Sequence, residues 1–148
     1  VSTIDRRAAI VGLHHLSLTV SHLDTSVDWY RRVLGLGLIG EDLHTEGRTV
    51  VLTHPPTGLV VLLQEHKAHE GTRFSEFRPG LDHLSFRVAD RDDLQVWAEH
   101  LAACGVDHQP VKHEAFGSVL IFRDPDRIQL ELFADPLAGH SPGSSAIG

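Results

Sequence analysis

The chain has 148 residues, 41% hydrophobic and 22% charged, with a formal net charge of −7 and a single cysteine. That length allows one domain with a real core, or two half-size modules sharing one, and the acidic balance argues against nucleic acid as a partner, because neutralising phosphates takes a basic face. The lone Cys104 excludes an internal disulfide framework. No apolar run approaches membrane-spanning length and no secretory signal precedes the first strand, so no membrane partner and a cytoplasmic location are expected.

Residues 1–11 read as a loose N-terminal arm. The stretch "GLHHLSLTV" at 12–20 then alternates with a period of two. Leu16, Leu18 and Val20 share one face of a strand, and His15, Ser17 and Thr19 share the other. A helix follows, with Asp24 as N-cap, an apolar stripe of Val27, Tyr30 and Leu34, and Gly35 where a left-handed terminator is wanted. Short β-rich pieces come next, at roughly 37–44, 47–54 and 59–66, with "HPPTG" (54–58) turning the chain before the last of them. The first module thus spans 12–66.

The polar stretch "KAHEGTRFSEFRPG" (67–80) reads as a linker, and a second module occupies 81–135. Its strand "HLSFRV" again divides into an apolar face (Leu84, Phe86, Val88) and a polar one (His83, Ser85, Arg87). Its helix is capped by Asp92 or Asp93, carries Leu94, Trp97, Leu101 and Cys104 at helical spacing, and ends at Gly105. Strands at roughly 107–114, 117–123 and 127–133 follow, with "DPDR" (124–127) as the turn, and 136–148 reads as a flexible tail.

The two modules are copies. At an offset of 68, Gly12, Leu13, His15, Leu16, Ser17, Val20, Asp24 and Trp29 recur as Gly80, Leu81, His83, Leu84, Ser85, Val88, Asp92 and Trp97. Such a repeat predicts two β-α-β-β-β units, an α+β fold. Equivalent residues of a duplicated fold can meet around a pseudo-twofold axis, so His15 and His83 can converge. Glu131, on the last strand with Gln129 and Phe133, is costly inside a sheet unless solvated, paired or bound to metal. A single strand histidine is ordinarily structural; two in equivalent slots beside a strand glutamate point to a ligand set. Two imidazoles and a carboxylate suit Fe(II), Mn(II), Zn(II), Co(II) or Ni(II) with positions open for substrate.

The segments "HHLSLTVSHLDTSVDWYRRVLGLG", "DHLSFRVADRDDLQVWAEHLAACGV" and "VLIFRDPDRIQLELFADP" resemble the vicinal oxygen chelate superfamily, which includes glyoxalase I, extradiol dioxygenases, fosfomycin-resistance thiol transferases and bleomycin-resistance proteins. The resemblance covers residues 12 to about 135. It implies paired modules whose mixed sheets curl into a cup, one divalent metal held by His15, His83 and Glu131, and a homodimer, with the two modules of a site pairing either within one chain or across two. Glyoxalase I-like members add a glutamate on the last strand of module one; here Leu62 or Leu63 fills that slot, depending on the alignment, with Gln64 and Glu65 close by.

The branch stays open. Tyr30 reads as core, leaving His113 as a candidate base, and Arg87, Lys112 and Arg123 are fragments of an anion clamp. Ser17 and Arg87 lie on the ligands' side and join His113 as candidate catalytic residues; Thr19, Ser85 and Gln129 share that side. Phe116, Phe122 and Phe133 are candidates for an apolar wall. The function expected is a metal-dependent enzyme that chelates vicinal oxygens of a small substrate, dioxygenase-like or glyoxalase/lyase-like. The alternative is a dimeric bleomycin-resistance-type protein that sequesters a small molecule without chemistry, which an acidic chain would favour for a cationic drug.

Overall fold

The protein is described by a computed structural model that covers residues 9–136; most of the expected N-terminal arm and nearly all of the tail lie outside the described residues. In chain order the elements are β1 (Leu16–Thr19), α1 (Leu23–Leu34), β2 (Gly37–His44), β3 (Gly47–His54), β4 (Leu59–His66), β5 (Leu84–Arg87), α2 (Asp93–Ala103), β6 (Lys112–Glu114), β7 (Gly117–Arg123) and β8 (Gln129–Ala134). Each half is therefore β-α-β-β-β, the α+β fold that the repeat predicts.

Each half makes its own four-stranded mixed sheet, ordered β1-β4-β3-β2 and β5-β8-β7-β6. The β1–β4 and β5–β8 pairs are parallel, and the remaining pairs are antiparallel. Parallel pairing of the first and last strands follows from the helix that crosses between them. It leaves β1 and β5 as open edges. Among the described residues, no helix is long and apolar enough to cross a membrane.

Alternation decides what each strand buries. Leu18 and Val20 of half one, with Val61 and Leu63 of β4, go inward with Leu120, Phe122, Leu130 and Leu132 of half two into one shared core. The halves meet through α1. Trp29 stacks on Phe122 with ring centroids 6.3 Å apart, and the Tyr30 hydroxyl donates to Asp124 at 3.0 Å. Tyr30 is fully buried, as its place on the apolar stripe predicts. Ser21 also bonds Asp126 through its backbone N–H and its hydroxyl. From the other side, His100 of α2 sits 2.9 Å from the carbonyl of Val33. Burying an aromatic such as Phe122 contributes about 1.5–3 kcal/mol, so this joint is strong.

Two local expectations change. The residue before α1 is His22, and Asp24 lies in the first turn, where it pairs with Arg48 at 3.1 Å. The backbone N–H of Leu23 is capped instead by Glu65, whose Oε2 accepts at 2.8 Å from 42 residues away. The sixth strand is shorter than 107–114: Pro110 has no N–H for a ladder, and only an isolated bridge, His108 to Phe122, precedes Lys112. Gly35 and Gly105 adopt φ of 69° and 71°, the left-handed conformation expected of helix terminators.

Candidate metal centre

Sheet register fixes which side chains share the polar face of half two. Ser85 stands opposite Glu131, while Phe86 and Leu132, one residue on, turn into the core. His83 directly precedes β5, and its Nε2 lies 3.5 Å from Glu131 Oε1. Its Nδ1 lies 2.5 Å from Asp82 Oδ1. A carboxylate on Nδ1 assigns the proton to that nitrogen and leaves the Nε2 lone pair facing Glu131. Two acceptors so close call for a cation or a proton between them. The Glu131 side chain is only 14% exposed, so water alone compensates its charge poorly.

His15 does not join this pair. It precedes β1, on the polar face with Ser17, and its Nδ1 lies 2.8 Å from His14 Nδ1. Among the described residues, no group of three or more His, Cys, Asp or Glu side chains is placed to hold a metal ion. Within a single chain, then, the described residues do not group His15 with His83 and Glu131. The halves unite through α1 and their apolar sides, which leaves the polar faces of β1 and β5 at separate open edges.

The slot equivalent to Glu131 is now defined. Ser17 pairs with Leu62 as Ser85 pairs with Glu131, so Leu62 fills it and Leu63 belongs to the core. Glu65 is committed to the start of α1 and alternates onto the face of Leu63. Gln64 is on the polar face, where its Nε2 donates to Ser17 Oγ at 2.9 Å.

The candidate catalytic residues fall in different places. Ser17 shares a face with His15. Arg87 ends β5 on the face of His83, 78% exposed and 3.1 Å from Asp135. His113 is opposite Ser118, which is buried, and its Nδ1 is 2.8 Å from that hydroxyl. It therefore lies on the other face of the sheet from Glu131, and a role as base for that face does not fit. One residue of strand parity makes the difference.

The apolar wall is partly as expected. Phe133, two residues after Glu131 on the same face, stacks on Phe116 with centroids 6.4 Å apart and planes 6° from parallel. Gly117, at φ 148°, lets the ring lie against the backbone; any side chain there would run into Phe133. Phe122 is core. An open cavity of about 690 Å³ runs along the edge of β1 beneath the linker, taking in Ser17, Thr19, His66 and Arg78. It reaches the strand of His15 and stops short of Glu131.

Sequence reasoning missed Asp82, the brace of His83. The signal was present, because Asp82 stands at the repeat position of His14, immediately before the histidine.

Comparisons with known proteins agree with the fold. A crystal structure of a glyoxylase/bleomycin resistance protein/dioxygenase domain from Frankia sp. EAN1pec superposes with a TM-score of 0.83 at 37% identity, covering 89% of this chain and 97% of that one. The putative ring-cleaving dioxygenase MhqA of Bacillus subtilis (strain 168) is 26% identical in a 135-residue alignment that covers 84% of this chain and 40% of MhqA, so the chain spans about two fifths of that relative. The metallothiol transferase FosB of Shouchella clausii (strain KSM-K16) is 27% identical over 132 residues, 86% of this chain and 82% of FosB. The sequence model of one family matches residues 12–132, the whole duplicated unit, and by that match the chain belongs to the Glyoxalase/Bleomycin resistance protein/Dioxygenase superfamily.

Proposed function

We propose that the protein is a metal-dependent enzyme acting on a small substrate with vicinal oxygens, and that its site closes between two copies of the chain. His83 and Glu131 of one protomer, joined by His15 of the partner subunit, would hold one divalent ion: iron, manganese, zinc, nickel or cobalt. The observation that carries this reading is the acceptor pair, His83 Nε2 and Glu131 Oε1 at 3.5 Å, with the third ligand stranded at the other open edge. The donor set fits such an ion, with two neutral imidazoles, one carboxylate and the remaining positions open.

Such an ion, held by these residues, would supply Lewis acidity to neighbouring oxygens of the substrate and so stabilise negative charge developing there. The chain's own residues do the rest. Asp82 keeps the proton of His83 on Nδ1, so the ring presents its lone pair in one orientation. Gln64 holds Ser17 in place as a hydrogen-bonding group beside His15. Phe133 and Phe116, with Val119 and Ile121 of β7, give the Glu131 face an apolar wall that limits water. Dioxygenase-like and lyase-like chemistry share these requirements; the names of the relatives, a ring-cleaving dioxygenase and a metallothiol transferase, support the enzyme reading at that level.

The test is metal analysis of anaerobically purified protein, followed by mixing. His15→Ala and Glu131→Gln homodimers should each carry no tightly bound metal. A co-expressed mixed dimer of the two should regain one ion, because one of its two sites is intact. Metal-free wild-type protein that takes up no divalent ion overturns the reading, and metal-free mixed dimers overturn the shared site. A sequestering protein without chemistry, the second reading, is favoured by the stacked Phe116, which is 67% exposed and available to a flat ligand. It predicts unchanged ligand affinity in Glu131→Gln.

A further inference from the structure

Arg123 ends β7 directly opposite Gln129, and Ile121 is directly opposite Glu131. Alternation therefore puts Arg123, Gln129 and Glu131 on one face, with Arg123 diagonal to Glu131 at about 7–8 Å between backbones. The guanidinium is held by its own sheet: Nη2 donates to Gln129 Oε1 at 3.1 Å and Nη1 to the carbonyl of Arg127 at 2.9 Å. These contacts fix the fork and leave the charge unmatched within half two. The match comes from outside it. Glu76, in the linker, accepts from Nη2 at 2.7 Å and from Nη1 at 3.4 Å, a two-pronged carboxylate–arginine pair with both side chains about three-quarters buried.

The other cations near this face are differently placed. Arg87 is largely exposed and paired with Asp135, and Lys112 is exposed. Arg123 alone among these three combines partial burial, a fork fixed by sheet partners and a bound carboxylate. The segment that delivers that carboxylate has no regular secondary structure at residues 71–75, so little ordered structure resists its movement.

We propose that Arg123 is a carboxylate-binding subsite of the Glu131 face, and that Glu76 occupies it in place of a substrate carboxylate until the two exchange. The inference rests on the Glu131 face being the site proposed above, and it narrows the substrate to compounds carrying a carboxylate beside their vicinal oxygens. Gln129 and Arg123 then orient that group, and Ile121, directly opposite Glu131, contacts the apolar body between carboxylate and oxygens. A tethered competitor lowers apparent affinity by the fraction of time it holds the arginine. Removing its charge should tighten anion binding roughly tenfold.

Benzoate, a monocarboxylate with an apolar body, is the probe, and benzamide is its neutral control. Titration calorimetry on metal-free wild-type, Glu76→Gln and Arg123→Gln proteins should show benzoate binding roughly tenfold tighter in Glu76→Gln than in wild type. Binding should be lost in Arg123→Gln, with benzamide indifferent to all three. Equal benzoate affinity in wild type and Glu76→Gln overturns the proposal, even if Arg123→Gln fails to fold, and so does benzoate binding retained by a folded Arg123→Gln. Mn(II) uptake, measured on the same samples, separates the two readings. Absent uptake with the benzoate pattern intact removes the metal and leaves the subsite, whereas normal uptake without the pattern removes the subsite alone.

Discussion

Where β8 carries Glu131, β4 carries Leu62, and where Asp82 braces His83, His14 stands beside His15. The two halves share strand pattern, helix and crossover, yet the carboxylates near the polar faces' histidines belong to half two. Half one contributes an imidazole and polar neutrals, Ser17 and Gln64. The two faces are therefore complementary and unequal. A duplicated fold has kept its packing residues in both copies and placed the charged ligand in one of them. Such a division suits closure between two chains, because each copy then supplies a neutral half to one site and an anionic half to another.

Swapping the slot residues gives the largest expected effect. Glu131→Leu should weaken metal binding by more than a factor of about a hundred, beyond the loss typical of an outer bracing group. Leu62→Glu should tighten it, by placing a second carboxylate on the face of His15. Metal titration of the two variants measures both, and a weaker Leu62→Glu protein would show that β4 does not face the ion.

The second effect concerns the turns. The Asp124 carboxyl, in the turn before β8, is pushed up to about 6 from 3.8, chiefly by burial, with its hydrogen bonds from Ile128, Tyr30 and Asp126 pulling the other way. The turn before β4 has Pro55 there when Pro56 and Pro125 are aligned. With its folded value raised, Asp124 favours the folded state fully below pH about 3.8, and that contribution is lost as pH rises through about 6. The span corresponds to about 3 kcal/mol. Between pH 4 and 7, urea unfolding should show the wild type losing about that much more stability than Asp124→Asn, which keeps an acceptor for the two backbone donors. Parallel pH curves for the two proteins would mean that the buried carboxyl does not set this dependence.

A smaller effect separates the histidines. Asp82→Asn should weaken metal binding by about 10–100-fold, the usual cost of losing a carboxylate behind a ligating imidazole. His14→Asn should change it much less, because His14 lends His15 no negative charge. Equal losses in both variants would show that bracing is not what distinguishes the halves.

Local patterning made the strands legible, and the ranges 37–44, 47–54 and 59–66 appear in the structure as β2, β3 and β4. The repeat revealed the doubled α+β unit and drew attention to His15, His83 and Glu131. What could not be read locally was decided at a distance. The cap of α1 comes from Glu65, whose approach depends on the completed sheet. The joint between the halves, Trp29 against Phe122 and Tyr30 against Asp124, likewise brings together residues more than ninety positions apart. His113 was lost to parity, since a strand that pairs only over Lys112–Glu114 gives alternation too short to read from its sequence.

The smallest expected effect lies in the same pair of turns and has the clearest internal control. Gly58 and Arg127 occupy equivalent turn positions, with φ of 71° and 69°. A side chain in that conformation costs roughly 1–2 kcal/mol, partly offset by the greater freedom glycine has in the unfolded chain. Arg127→Gly should therefore stabilise the protein by about 0.5–1 kcal/mol, seen as a raised urea midpoint with unchanged slope. Its carbonyl, which accepts from Arg123, is retained in the variant. Gly58→Arg should lose a similar amount in half one. A gain in the first without a loss in the second would mean that the two turns differ in more than this residue. No gain in the first would mean that the Arg127 side chain offsets its own strain, and the half with the carboxylates would then be using an arginine where the other half needs only a flexible backbone.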